Sequence, residues 1–184
     1  MIHFPIHSLE TAPEESRQHL EALRNAFGFV PNIACAMATS PILIGSLTAL
    51  FGRVHSGSFS EGEIQIVLLT NAVTNRSQWP VAFHSYLALE QGIEPDDVQA
   101  LRVGGLPRDR KLAALSALAK ALILQRGHLT EHEKSEFLSA GYGTDRLLEV
   151  IAIVAASTIT NYTANVTLPM LEEKFATNAW HPAS

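Results

Sequence analysis

Apolar positions along the chain recur at helical spacing, and the breaks between apolar stretches carry helix-capping residues. Thr11-Ala12-Pro13-Glu14 reads as a capping box with proline in the first turn, opening a helix to about Phe27 that stops at Gly28. Phe29-Val30-Pro31-Asn32 predicts a turn into a short helix. Ser40-Pro41 starts the next one, which carries Ile42, Leu43, Leu47 and Leu50 and is followed by Gly57. Ser60-Glu61-Gly62-Glu63 is a second capping box before Ile64 to Val73, a run apolar enough to predict a central buried helix. Asn75-Arg76-Ser77 interrupts the pattern, and a further helix runs from about Gln78 to Glu90 and ends at Gly92.

Pro95-Asp96-Asp97 starts a short helix ending before Gly104-Gly105. Arg108 to Gln125 is amphipathic, with Leu112, Leu115, Leu118 and Leu122 on one stripe. Thr130-Glu131-His132-Glu133 is a third capping box with Gly141 as its stop. Thr144-Asp145 caps a long apolar helix through Ile159 and beyond, broken at Pro169. No strand-length alternation is flanked by turn signals, and the Val150–Val154 run sits in a segment too long and alanine-rich for a strand. The pattern predicts an all-α fold in a single domain over residues 1–184. The stretches 60–90 and 130–165 share a layout of capping box, helix, break and helix, a weak hint of a repeat.

Composition narrows the function classes. The chain has 184 residues, 47% of them apolar and 17% charged, which is a globular balance able to bury a core. The net charge of -5 is mild, and no lysine or arginine stripe points to nucleic acid. The single cysteine, Cys35, excludes an internal disulfide. Met1-Ile2-His3-Phe4-Pro5 does not read as a leader peptide, and the longest apolar stretch, near Val150 to Ala156, is too short for a bilayer. A cytoplasmic protein with no membrane partner is expected.

The informative segment is Asn75-Arg76-Ser77-Gln78-Trp79-Pro80-Val81-Ala82-Phe83-His84-Ser85. It resembles the core motif of the alkylhydroperoxidase D and carboxymuconolactone decarboxylase superfamily: Asn, any residue, Cys, two residues, Cys, three residues, His. Asn75 and His84 match, and Trp79 stands where an aromatic is usual. Ser60-Glu61-Gly62-Glu63-Ile64-Gln65 with Val67-Leu68-Leu69 is similar to the stretch preceding that motif, so the family core covers residues 60–92. Ala26 to Asn32 with Ser40-Pro41, and Leu148-Glu149-Val150 with Asn161-Tyr162-Thr163, resemble the peroxidase-related branch. The resemblance implies that family's helical bundle, a homo-oligomer, and a peroxiredoxin-type oxidoreductase ancestry.

The departures fall on the chemistry. Ser77 and Pro80 stand at the two cysteine positions, and Gln65 stands at the acidic position twelve residues before the first. A cysteine pair at a helix N-terminus works because exposed N–H groups and the helix dipole favour thiolate, which attacks peroxide and is resolved to a disulfide. Serine has no such oxidation ladder and proline has no reactive group. Proline still fits the first helical turn, where its missing N–H is not needed. Ser77 and His84 are two turns apart, roughly 10.5 Å along a helix, which is too far for a nucleophile–base pair. Ser77 is instead expected to cap the helix with its side-chain oxygen.

His84 reads either as a packed core histidine or as an acid/base facing a small cavity, with Glu63 or Gln65 close by and Trp79 and Phe83 as pocket wall. Cys35, among Ile33, Ala34 and Met37, reads as a small buried hydrophobe with no basic neighbour to activate it. His128 and His132 lack a third ligand, so no metal and no cofactor is expected.

Three functions stay open: a protein that has lost dithiol chemistry and keeps a small-molecule pocket near His84; a cysteine-independent acid/base enzyme of the carboxymuconolactone decarboxylase kind, using His84 with Glu63 and a cation such as Arg76; and a non-catalytic oligomeric interaction protein. The first predicts an apolar pocket beside His84, the second a polar one with a cation, the third none. The residues do not decide whether any catalysis survives.

Overall fold

A computed structural model describes residues 3–182; Met1 and Ile2, where the expected domain and the N-terminal reading begin, and Ala183 and Ser184 lie outside the described residues. Among the described residues the chain forms nine α-helices and one 3₁₀ helix: α1 (Glu14–Phe27), α2 (Asn32–Met37), α3 (Pro41–Val54), α4 (Glu61–Thr74), α5 (Gln78–Glu90), α6 (Pro95–Arg102), α7 (Arg110–Leu124), α8 (Glu131–Ser139), α9 (Thr144–Thr167), and a 3₁₀ turn over Glu173–Asn178.

Local chemistry explains most boundaries. Ser60 and Thr130 form complete reciprocal capping boxes with Glu63 and Glu133, and Ser40 accepts from the Leu43 N–H with Pro41 in the first turn. Such caps each hold a helix start by about 1 kcal/mol. The expected box at Thr11 does not form. Its hydroxyl accepts from the Ser8 N–H instead, inside a tight turn, and Pro13 starts α1 without a side-chain cap. At α9 the cap position is Gly143 and Thr144 is already helical. The repeat hint also fails, because α4 and α5 have 14 and 13 residues whereas α8 and α9 have 9 and 24.

α4 is the central helix, packed by α5, α7 and α9. One core gathers Ile64 and Leu69 of α4, Leu115 of α7, Phe137 of α8 and Ile153 of α9. A second gathers Leu20, Met37 and Ile44 of α1–α3, Phe83 of α5 and Phe175 of the 3₁₀ turn. α9 runs through both. Its 24 residues make it long and apolar enough to cross a membrane by length and composition, as the core helix of a bundle also can be, whereas the Val150–Ala156 stretch alone is too short. Within the fold it packs against α2, α3, α4, α5 and α7, and buries Val150, Ile153, Ala156, Ser157 and Asn161. Arg102 closes the C-terminal end, donating to the Asn178 and Ala179 carbonyls at 2.9 Å each.

Candidate functional site

The turn Asn75–Ser77 lays α5 against α4, with Arg76 in the left-handed region at φ 53°. Ser77 is fully buried at the N-cap position of α5, yet its side chain does not cap the helix. The hydroxyl donates to the Asn161 carbonyl on α9 at 3.1 Å. The expected cap is thus replaced by a tie between helices, because a hydroxyl with no exposure takes the acceptor that the neighbouring helix presents. Pro80 is the third helical residue. The first N–H of α5 that bonds back is that of Val81, to the Ser77 carbonyl at 3.1 Å, so the proline removes no helical hydrogen bond.

His84 is 7% exposed, and its Nδ1 lies 3.0 Å from Gln65 Oε1 on α4. An amide oxygen only accepts, so Nδ1 carries the proton and Nε2 keeps its lone pair. Burial, helped by the charge of His55, pushes the His84 pKa down to about 3, so the ring is neutral. Of the two expected neighbours, the structure brings Gln65 to His84 and not Glu63. Two residues earlier, about 200° around the helix, Glu63 faces another side. There it accepts from the Ser60 N–H, the Tyr142 hydroxyl at 2.9 Å and Lys111 at 3.4 Å. Burial works to raise its pKa, but these partners hold the carboxyl below the usual range.

Two adjoining cavities meet at His84. The inner one, of about 60 Å³, is lined by Leu23, Ile33, Trp79, Ala156, Ser157 and Thr160 together with Phe27, Phe51, Leu68, Phe83 and His84. The outer one, of about 340 Å³, shares those last five residues and adds His55, Glu61, Gln65 and Gln91. Trp79 and Phe83 stack with centroids 4.8 Å apart, and Phe27 meets Phe83 edge-on at 5.4 Å. Trp79 Nε1 donates to Glu172 at 2.9 Å, and the same carboxylate accepts the Asn32 N–H at 2.7 Å, which fastens the segment after α9 beside the inner cavity.

At the mouth of the outer cavity, His55 ends α3 and Glu61 begins α4. His55 Nδ1 lies 2.8 Å and 3.0 Å from the two oxygens of Glu61, and the ring lies on Phe51 at 4.1 Å. The loop between them is pinned by Glu149, which accepts the Ser58 N–H at 2.7 Å and its hydroxyl at 2.6 Å. Reading the motif alone misses this pair. Its only signal in the sequence is two ionisable residues straddling a Gly/Ser loop between a helix end and a helix start.

The remaining candidates lie elsewhere. Arg76 lines a separate cleft with Gln78, Trp79 and Asn165. Cys35 is buried in α2 and lines neither cavity; burial, with the charge of Glu172, raises its pKa and keeps it a thiol. Among the described residues no cluster of three or more His, Cys, Asp or Glu could hold a metal.

Solved structures of the same shape exist. An alkylhydroperoxidase AhpD core, an uncharacterized peroxidase-related protein from Ralstonia eutropha JMP134, superposes with a TM-score of 0.81 at 18% identity over 94% of this chain and 93% of its own. A peroxidase-related protein from Silicibacter sp. TM1040 gives 0.77 at 17% identity over 95% and 92%. The debrominase Bmp8, as a cysteine-to-alanine variant in complex with 2,3,4-tribromopyrrole, gives 0.75 at 16% identity over 97% and 95%. No protein-family model and no curated protein matches the chain. The chain has the helical fold of the alkylhydroperoxidase AhpD core, with one unpaired cysteine.

Proposed function

We propose that this chain of alkylhydroperoxidase D fold holds a small, uncharged and largely apolar molecule against His84 Nε2, without thiol chemistry. One observation carries the reading: a neutral imidazole, its Nδ1–H spent on Gln65, borders an aromatic-walled cavity, and Nε2 takes no hydrogen bond from any described residue. Such a wall with a single acceptor suits a flat ring bearing one N–H or O–H donor. The debrominase of this fold is known with 2,3,4-tribromopyrrole, a ring of that description. Cys35 lines neither cavity, and the carboxymuconolactone-type reading lacks its cation, since Arg76 borders a different cleft.

The test is calorimetric titration of 2,3,4-tribromopyrrole and of halogenated phenols into the natural protein, Cys35→Ser and His84→Ala. Binding kept by Cys35→Ser and weakened at least tenfold by His84→Ala, about the worth of one buried hydrogen bond, supports the reading. Equal binding by all three sinks it.

The same proposal includes a cytoplasmic homo-oligomer. Leu148, Ile151, Tyr162 and Val166 on α9 are exposed, as is Ile42 at 83%, and apolar surface of this kind favours self-association. Light scattering coupled to size exclusion is expected to give a multiple of 20.0 kDa; a monomer alone removes this part.

A further inference from the structure

We propose that His55, held by Glu61, is the proton-accepting group of this site, acting on a small apolar molecule that carries a weakly acidic C–H or N–H and reaches into the outer cavity. The inference rests on the small-molecule reading above and adds a reaction to it.

Three observations support it. The Glu61 carboxylate grips His55 Nδ1 at 2.8 Å and 3.0 Å, so in the neutral ring the proton sits on Nδ1 and the lone pair on Nε2. That Nε2 is buried and has no hydrogen-bond partner among the described residues, unusual for a buried ring nitrogen in a finished core. His55 lines the same cavity as His84, and Phe51, on which its ring lies, forms part of the wall shared by both cavities. The titratable groups lining the outer cavity are His55, Glu61 and His84.

The two imidazoles differ in what stands behind them. His84 is backed by a neutral amide, which offers no compensation for a positive charge. His55 is backed by a carboxylate, which stabilises the imidazolium formed when a proton arrives. The site therefore separates its tasks: His84 Nε2 accepts a hydrogen bond from the bound molecule, and His55 Nε2 takes its proton. In the step, the C–H or N–H bond breaks and Nε2 gains the proton. The electron pair left behind forms a new π bond while a leaving atom departs, or shifts along the ring so that the same imidazole returns the proton at another atom. Elimination and tautomerisation both balance without an outside oxidant or reductant.

The probe is 5-nitrobenzisoxazole, a small flat molecule that opens when a base removes its ring C–H proton. The C–H electrons form a nitrile, the N–O bond breaks, and the pair stays on a coloured phenolate. Binding is measured by calorimetry and turnover by absorbance for the natural protein, His55→Ala, His55→Gln and Glu61→Gln. The expected result is turnover by the natural protein, with kcat about 100-fold lower in both His55 variants at unchanged probe affinity. Glu61→Gln is expected to lose less, and added imidazole to restore part of the His55→Ala rate. Probe that binds but turns over equally in the His55 variants overturns the proton-accepting role and leaves the binding reading standing. Probe that neither binds nor turns over overturns the proton-accepting role; the binding reading, whose ring donor this probe lacks, is decided separately by the tribromopyrrole titration.

Discussion

Gln65 sets its amide oxygen 3.0 Å from His84 Nδ1 and so fixes the tautomer of the histidine without supplying a charge to balance an imidazolium. At this position the family that the sequence resembles carries an acid. The difference of one functional group decides what the buried ring can be: an acceptor of hydrogen bonds, and a poor store for protons.

Gln65→Glu is therefore expected to raise the His84 pKa from about 3 by roughly 1–3 units, because an opposite charge within hydrogen-bond distance favours the protonated ring. Imidazole NMR titration of the natural protein and the variant measures this. An unchanged His84 titration would show that the amide is not its electrostatic partner.

The depressed pKa of His84 also sets a pH dependence of stability. Its folded pKa of about 3 lies below the ordinary histidine value of 6.5, so between these values the unfolded chain binds the proton that the folded chain refuses. The stabilisation is present above pH 6.5 and is lost as pH falls towards 3, by on the order of a few kcal/mol. Urea denaturation from pH 7.5 down to pH 4 is expected to show a shallower loss in His84→Gln than in the natural protein. Parallel curves would remove His84 as the cause.

Helix boundaries were largely legible in the sequence because they depend on neighbours in the chain. Ser60 and Glu63 form their box from three residues' separation alone. Thr11 misled for the complementary reason, since an equally local partner, Ser8, competed for its hydroxyl. Of the candidate site, the motif spacing made legible the three side chains that line the inner cavity from α5: His84, Trp79 and Phe83. The site was not legible where distant segments meet: His55 needed the loop held by Glu149, 91 residues from Ser58, and Ser77 needed the Asn161 carbonyl, 84 residues away.

Cys35 is expected to be inert in the folded chain. A buried thiol whose pKa is raised presents little thiolate, so alkylation should be slow in buffer and fast in denaturant. Organic hydroperoxide with a dithiol reductant is expected to give no turnover. Turnover that disappears in Cys35→Ser would show a one-cysteine peroxidase instead.

Phe83 is 6% exposed and touches Trp79, Phe27 and Phe175 by ring contacts, so Phe83→Ala is expected to cost about 3–5 kcal/mol in urea denaturation. It also removes part of the wall common to the two cavities, and should admit bulkier ring compounds than the natural protein. A loss under about 1 kcal/mol would mean that the aromatic cluster closes over the gap.

Ser77→Ala removes the hydroxyl that ties α5 to the Asn161 carbonyl of α9 inside a fully buried contact, and is expected to cost about 1 kcal/mol. Pro80→Ala should cost less, about 0.4–1 kcal/mol, and chiefly through the freedom it restores to the unfolded chain. Both are read from chemical denaturation midpoints. A reversed order would contradict the assignment of Ser77 as an interhelical tie.

Pro80 carries a wider consequence. It stands where α5 has no use for a backbone N–H, so this helix tolerates there even the residue most hostile to helices. A helix whose first-turn position is indifferent to its occupant in this way can accept side chains of quite different chemistry there by single substitutions, at little cost to its stability. Shape and reaction are then separable matters, and in this chain the shape of an alkylhydroperoxidase AhpD core occurs with one unpaired cysteine.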